Sequence, residues 1–274
     1  MAATDAFNKL QQCRHGQMLY NINDQYIGRS LDLYGEFSEG EIDLFKQLSK
    51  PGQVIVEVGA NVGAHTVFLA QQVGITGRVL AYEPQRLVFQ TLCANLALNN
   101  IANVLAFQQA VGAAQGEIVV PLLDWRREQN FGGLALGQYQ EGERVPMITI
   151  DSLNLQRCDL IKVDVEGMEM DVLRGATSTI ARTRPFLYVE NDRREKAAEL
   201  VRYIDGLGYN MFWHAPPLYN PDNFRQNAEN VFAQIVSLNM FCMHKDLPHQ
   251  MQGFQKVEVP AEAGAPKEGD APAG

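Results

Sequence analysis

The chain has 274 residues, 46% of them hydrophobic, and a formal charge of −9. That is ample chain for one large α/β domain with additions, the acidic balance leaves no footprint for nucleic acid, and no apolar run approaches the roughly 18 residues of a membrane-spanning helix. Cys13, Cys93, Cys158 and Cys242 make no C-x-x-C or zinc spacing, and the first dozen residues lack a signal-peptide apolar core, so a cytoplasmic protein with reduced thiols is expected.

Residues 1–14 read as a short helix or a disordered lead. His15 to Arg29 alternates apolar and polar residues around Asn21, Asn23 and Asp24, the pattern of a hairpin. Ser38 and Glu41 make a capping box for a helix running to about Leu48. Lys50-Pro51-Gly52 is a turn.

The stretch from Gln53 to Thr66 organises the rest of the chain. It opens with an apolar, β-branched run from Val54, as expected of a strand buried on both faces. The chain then turns through Gly59 and Gly63 into a helical pattern, Val62 to Val73. Glycine lets backbone and ligand approach closely, and a helix start presents free N–H groups. A dinucleotide fingerprint needs glycine where Asn61 and Ala64 stand, and no P-loop Gly-Lys-Ser/Thr is present. Instead Glu57 sits at the strand end, where a carboxylate repels a pyrophosphate and suits a cation. S-adenosyl-L-methionine (SAM) carries an ammonium and a sulfonium and no phosphate. Glu57-x-Gly59-x-x-x-Gly63 resembles the first motif of the class I SAM-dependent methyltransferases, whose fold is a Rossmann-like seven-stranded sheet. Members of that class often carry a cover over the pocket ahead of the first central strand, which would turn Tyr20 and Glu36 toward the cofactor. His65 lies in the first helical turn beside the pocket, where packing or hydrogen bonding is the expected role.

A second strand, Arg78 to Tyr82, ends in Glu83, 20 residues beyond Gly63. An acid at that point reads as the ribose diol ligand. Pro84 to Asn99 is the second helix and Asn103 to Phe107 the third strand. The loop after the third strand would sit over the adenine, making Gln109 and Ala110 edge contacts. Glu117 to Leu123 and Val145 to Ile150 are strands outside the βαβ rhythm. Between them, Asp124 to Arg144 is a long Gly-, Gln- and charge-rich loop, read as a lid or substrate wall. It holds Arg126 and Asn130, with Trp125 and Phe131 placed to stack on an acceptor ring. Cys158 to Val163 is the fourth central strand, followed by Asp164-Val165-Glu166-Gly167 and a helix from Met168 to about Arg182. Arg184 to Val189 is the fifth, ending in Glu190-Asn191-Asp192. A helix from Arg194 to Leu207 closes at Gly208. Strands Tyr209 to His214 and Ile235 to His244 would pair as an antiparallel edge hairpin around a loop at 215–233. From about Lys256 the Ala-, Pro-, Gly- and Glu-rich composition cannot form a core. The expected fold is an α/β, Rossmann-like seven-stranded, mostly parallel sheet. It has helices on both faces, an antiparallel last strand and an N-terminal hairpin-and-helix cover. The expected division is a cover at 1–50, the main domain at 51–250 and a disordered tail at 256–274.

These residues together resemble the FkbM family of SAM-dependent methyltransferases. The likeness rests on Glu57 through Thr66, Tyr82-Glu83-Pro84, Asn130-Phe131-Gly132-Gly133, Ile150-Asp151-Ser152-Leu153, Ile161 through Glu169, and Val172 through Ala176. It implies O-methylation of a sugar, glycolipid or polyketide-like hydroxyl. It also implies that Glu57, Gly59, Asn61, Gly63 and Thr66 contact the methionine half of SAM and Glu83 the ribose. Asp164 and Glu166 would stand where substrate meets cofactor.

A hydroxyl is a poor nucleophile and needs its proton removed. Asp164, Glu166 and Glu190 lie at strand carboxyl ends, where ligands of open α/β sheets bind. In one version Asp164 or Glu166 is the general base. In the other, which looks similar to catechol-type methyltransferases, Asp164, Glu190 and Asn191 hold Mg²⁺, which lowers the hydroxyl pKa. The expected partner is a small hydroxylated acceptor, and the oligomeric state, a homo-oligomer included, stays open. A reading of another class is a non-catalytic SAM- or nucleotide-binding module acting on a protein partner through 215–233. An NAD-dependent dehydrogenase is disfavoured by Asn61.

Overall fold

The structure, a computed structural model, describes residues 6–137, 139–247 and 253–261. In chain order it contains β1 (Asn8–Cys13), β2 (Gly16–Asn21), α1 (Ile27–Tyr34), α2 (Glu39–Leu48), β3 (Val54–Val58), α3 (Ala64–Val73), β4 (Arg78–Tyr82) and α4 (Arg86–Leu98). There follow β5 (Val104–Phe107), β6 (Ala110–Val111), β7 (Gly116–Val120), β8 (Glu143–Ile148), a 3₁₀ turn (Ile150–Leu153), β9 (Leu160–Val163), α5 (Glu169–Arg174) and α6 (Thr177–Thr183). The last elements are β10 (Phe186–Glu190), α7 (Arg194–Gly206), β11 (Tyr209–His214) and β12 (Asn239–His244). Among the described residues no helix is long and apolar enough to cross a membrane.

Seven strands form one sheet in the order β11-β12-β10-β9-β3-β4-β5. β12 is antiparallel to both its neighbours and the other pairings are parallel. The strands are apolar on both faces because both are covered. Along β3, Ile55 packs into a core shared with Phe45, Phe68, Leu69 and Leu92 of the α2–α4 side. Its neighbours Val56 and Val58 pack with Val172, Ile180 and Val201 of the α5–α7 side. The two-residue period of a strand thus sorts one continuous apolar run into two cores.

The expected seven-stranded sheet and antiparallel last strand are present. β12 does not flank β11 at the rim, however, but inserts between it and β10. β7 and β8, the two strands outside the βαβ rhythm, join β6 in a separate three-stranded sheet. The N-terminal hairpin is real but earlier in the chain. It pairs Asn8–Cys13 with Gly16–Asn21 around a turn at Arg14 and His15, so residues 8–13 are strand rather than helix or lead. Residues 1–5 lie outside the described part. The stretch from Ile27 is helix, not hairpin: Asp24 accepts hydrogen bonds from the Tyr26 and Gly28 N–H groups (3.1 and 3.0 Å) and starts α1.

The helix expected from Met168 to Arg182 is broken at Gly175 and Ala176. A Cβ on Gly175 would lie 2.1 Å from the Gly112 carbonyl oxygen, so the chain presses against β6 there. A second helix then starts under the Asp151 carboxylate, which accepts from the Ser178 and Thr179 N–H groups (2.9 and 2.7 Å). Ser38 does not make the expected reciprocal cap. It holds a left-handed φ of 47° and its hydroxyl donates to the Glu41 carboxylate at 2.7 Å. The expected tail is ordered where it is described: Trp213 N donates to Gln255 O, Val257 N donates to Met211 O, and Val257 is buried. Residues 262–274 of that tail lie outside the described part.

The hairpin is fixed to the sheet by Asn95 of α4, which is buried. Its side-chain oxygen accepts from Leu19 N (2.6 Å), and its amide donates to Leu19 O (2.9 Å) and Val62 O (2.8 Å). Asn95→Ala strands these backbone groups and is expected to cost about 2–3 kcal/mol, read as a lower urea midpoint with an unchanged slope. A change too small to measure would show that the cover is held by apolar contact alone.

Candidate active site

The carboxyl ends of β3, β4, β9 and β10 surround a cleft of about 240 Å³. Ligands of open α/β sheets bind at such ends. The turn after β3 forms one wall. Gly59 N and Ala60 N both donate to Tyr82 O at 3.0 Å, folding the turn across the end of β4. Gly59 has a φ of 84°, and a Cβ there would fall 1.8 Å from the Asp164 carbonyl oxygen. Glycine is therefore required twice, by conformation and by the close approach of the chain after β9. Gly63, with a φ of 86°, opens α3.

Glu57 is fully buried behind this turn. Thr66 Oγ1 donates to its Oε2 at 2.7 Å, while its Oε1 has no hydrogen-bond partner and lies 3.9 Å from Lys162 Nζ. Burial pushes the Glu57 carboxyl up to about 7, against the pull of Lys162. Glu83 accepts from the Asn61 and Gln85 N–H groups at 3.0 and 2.9 Å, and burial pushes it, too, up to about 7.

Opposite stand Asp164, Glu166 and Glu190, each offering an oxygen within 4.8 Å of the others. Glu166 lies at a bend, with a left-handed φ of 55°, before Gly167 at 105°. Its Oε2 accepts from the Arg193 guanidinium. Burial, then the charge of Asp164, pushes Glu166 up to about 7. The same two causes, joined by Glu166, push Glu190 up to about 11, and its Oε2 is buried without a partner. Lys162, 2% exposed, lies 3.4 Å from Asp164 Oδ2. Burial pulls its ammonium downward, yet Asp164, Glu57 and Glu41 hold it above its ordinary value. His65, buried between Phe37 and Phe45, is kept neutral by burial and by Lys162, and its Nε2 has no partner.

Of the residues singled out in the sequence, the structure brings Gly59, Asn61, His65, Glu83, Asn130, Asp164, Glu166 and Glu190 onto this one cleft. Glu57, Gly63 and Thr66 support it from behind. Others go elsewhere. Tyr20 is buried in the hairpin core and its hydroxyl donates to Asp32. Glu36 holds Arg14 (2.6 Å), the Asn220 amide (2.8 Å) and Phe224 N (2.7 Å), joining the hairpin turn to the loop after β11. Pro84, Gln109 and Ala110 do not line the cleft, and Ala110 is buried in β6. Trp125 packs on Phe7 with ring centres 4.1 Å apart and the planes tilted by 38°, and carries Arg126 on its ring. Phe131 is buried with the hairpin residues, so neither ring faces the cleft. The Asn191 amide is spent on Met240 Sδ, which leaves Glu166 as the third member of the acidic trio. Sequence reasoning missed Lys162, whose signal was a lone charge inside an apolar strand, and Glu41, Phe37 and the 235–239 segment, which also line the cleft.

The sequence matches the family described as Methyltransferase FkbM domain over residues 57–211. It is 29% identical over 143 residues to Methyltransferase 1 of Beauveria bassiana (strain ARSEF 2860), covering 44% of this chain and 57% of that protein. It is 25% identical over 166 residues to the hexuronic acid methyltransferase AglP of Haloferax volcanii, covering 56% of this chain and 62% of that protein. The chain thus spans less than two-thirds of the length of either relative. Among solved structures, methyltransferase FkbM from Methylobacillus flagellatus KT superposes with a TM-score of 0.49 at 18% identity, over 73% of this chain and 50% of that one.

Removing the cation from a buried cluster of carboxylates leaves them uncompensated. Lys162→Met is expected to destabilise the protein by roughly 3 kcal/mol, measured by urea unfolding at neutral pH, with Lys162→Arg recovering part of the loss. Equal stability of Lys162→Met and the parent would show that the lysine is not the counter-charge.

Proposed function

The chain belongs to the FkbM methyltransferase domain family, and from that premise we propose that it is a SAM-dependent O-methyltransferase acting on a hydroxyl of a sugar, glycolipid or polyketide-like small molecule. The observation that carries this reading is one cleft, at the strand ends, bounded by a glycine turn and Glu83 on one side and by Asp164, Glu166 and Glu190 on the other. The donor set fits SAM. The buried Glu57 Oε1 lacks a partner, Gly59 lets the turn close against the Asp164 backbone at the cleft wall, and no phosphate-binding lysine-serine pair is present. Residues 1–50 are read as the cover, since Phe37 and Glu41 reach the cleft, and 51–250 as the catalytic domain.

When bound, SAM supplies a methyl group on an already activated sulfonium carbon. The protein then has to align, exclude water and remove a proton. In this reading Glu57 faces the cationic methionine end through the turn and Glu83 receives the ribose hydroxyls. Glu166, pushed up to about 7, is matched to neutral pH as the general base. Glu166 would take the acceptor O–H proton, while bound SAM would supply the methyl group and leave as S-adenosylhomocysteine. Glu190 keeps its own proton at neutral pH and donates to the acceptor oxygen. Lys162 orients Asp164. The geometry of the acidic trio also favours a second reading. There Asp164, Glu166 and Glu190 would hold Mg²⁺ through hard oxygen ligands, and the metal would lower the hydroxyl pKa.

Two measurements test the proposal. Below pH 7 Glu166 takes up a proton and is lost as a base, so kcat at saturating SAM should fall with acid from about pH 7, with or without EDTA. Glu166→Gln should lower kcat by about 10²–10⁴-fold and abolish that acid limb. A flat profile would reject Glu166, and activity lost in EDTA would move the chemistry to the metal reading. In calorimetry, Glu57 and Glu83 are partly protonated at pH 7 in the free protein; a cation near Glu57 and hydroxyl donors to Glu83 favour their ionised forms. SAM binding should therefore release protons, seen as heats that vary with the buffer's ionisation enthalpy. No binding heat and no thermal shift would sink the donor assignment.

A further inference from the structure

The loop between β11 and β12 supplies an apolar wall to the mouth of the cleft: Leu218, Ile235, Val236 and Leu238 all line it. Ile235 and Val236 remain 39% and 52% exposed. This wall is preformed. Leu218 N donates to Ile235 O (3.0 Å), Ser237 N to Pro216 O (3.2 Å), and Pro217 bridges Val236. Leu218 is backed by the buried rings of Tyr34 and Phe232. Exposed apolar surface at the mouth of a polar cleft marks a ligand contact.

The floor beneath it carries Asp164, Glu166, Glu190 and Asp192. Most of the cationic groups near them are engaged, although Arg193 Nε is buried without a hydrogen-bond partner and Lys196 Nζ donates to the Gly167 carbonyl at 2.6 Å. Lys162 is held by Asp164 and Glu57, and Arg193 by Glu166 and by Asp192 at 3.4 Å. Lys162 is the one cation among the described residues that line the cleft, and no arginine fork opens into it. Recognition of a carboxylate or phosphate uses such a fork or a helix N-terminus. An incoming anion would lose its water and, at this acidic floor, meet the charges of Asp164 and Asp192 with no arginine fork to receive it, the start of α3 being given over to SAM in this reading.

We propose that the acceptor is uncharged where it enters the cleft and carries an apolar body, so that neutral amphiphilic hydroxyl compounds are methylated while uronates and phosphorylated sugars are turned away. The inference rests on the methyltransferase reading above and narrows its acceptor. The hydroxyl end would lie over the carboxylates and the apolar body against Ile235 and Val236.

The test offers the SAM-loaded protein a matched series: octyl β-glucoside, octyl β-glucuronide, free glucose and glucose 6-phosphate. Formation of S-adenosylhomocysteine is followed with EDTA and with added Mg²⁺. Octyl glucoside should turn over at least about tenfold better than each of the others, the scale of one unfavourable charge contact or a few lost methylene contacts. Val236→Asp should remove most of its advantage over glucose, with the variant's SAM-binding heat as the check on folding. Several results would overturn the proposal: glucuronide or phosphate turned over as well as glucoside, with or without Mg²⁺, glucose equal to glucoside, or no turnover of glucoside by a protein that binds SAM. A protein that binds no SAM would instead remove the reading beneath it, and this inference with it.

Discussion

Charge concentration at the carboxyl ends of the central strands is the constraint around which this molecule is built. Glu41, Glu57 and Asp164 converge on Lys162, a lysine 2% exposed in the middle of the sheet. A buried charge is tolerated only when compensated, so Lys162 ties α2, β3 and the chain after β9 into one arrangement. Burial, then the like charge of Asp164, pushes the carboxyls of Glu166 and Glu190 upward, Glu166 even with Arg193 beside it. A fold that keeps such groups together forgoes stability that a packed apolar core would supply. Phe37 and Glu41 of the cover and the loop after β11 shield part of that well from water.

The shielding is achieved by side-chain to backbone hydrogen bonds as much as by apolar contact. Asn95 holds the hairpin, Glu36 joins the hairpin turn to the loop after β11, and Asp24 starts the covering helix. Each of these is a short polar group in a buried or half-buried setting, satisfied by more than one partner. Such contacts specify one arrangement because the alternative is an unpaired polar group out of water.

The sheet was legible in the sequence because its strands carry the strongest signal available, apolar β-branched runs bounded by glycine and by acids. Arg78 to Tyr82 agrees with the structure to the residue, and the apolar run that opens at Val54 is β3. The acids at strand ends were legible for the same reason, since a carboxylate closing an apolar run has little structural purpose there. What failed was local chemistry overruled by tertiary contact. The pattern after Met168 is continuously helical, but Gly175 meets Gly112 and the helix breaks there. Trp125 and Phe131 have the chemistry of an acceptor platform, but these rings in a glycine-rich loop turn inward to Phe7 and the hairpin core. Asn191, beside Glu190 in sequence, points the other way because neighbours on a strand face opposite sides. Lys162 escapes notice inside its motif, since periodicity registers a lone lysine only as an interruption.

The bend at Glu166 sets folding and reactivity against each other. A residue with a side chain at a φ of 55° is held in a conformation that glycine occupies freely, at a cost of roughly 1 kcal/mol. Glycine there would relax the backbone and discard the carboxylate. Sequence changes that improve thermal tolerance would thus tend to keep this bend and replace its side chain, so the glutamate persists only while something other than robustness selects for it.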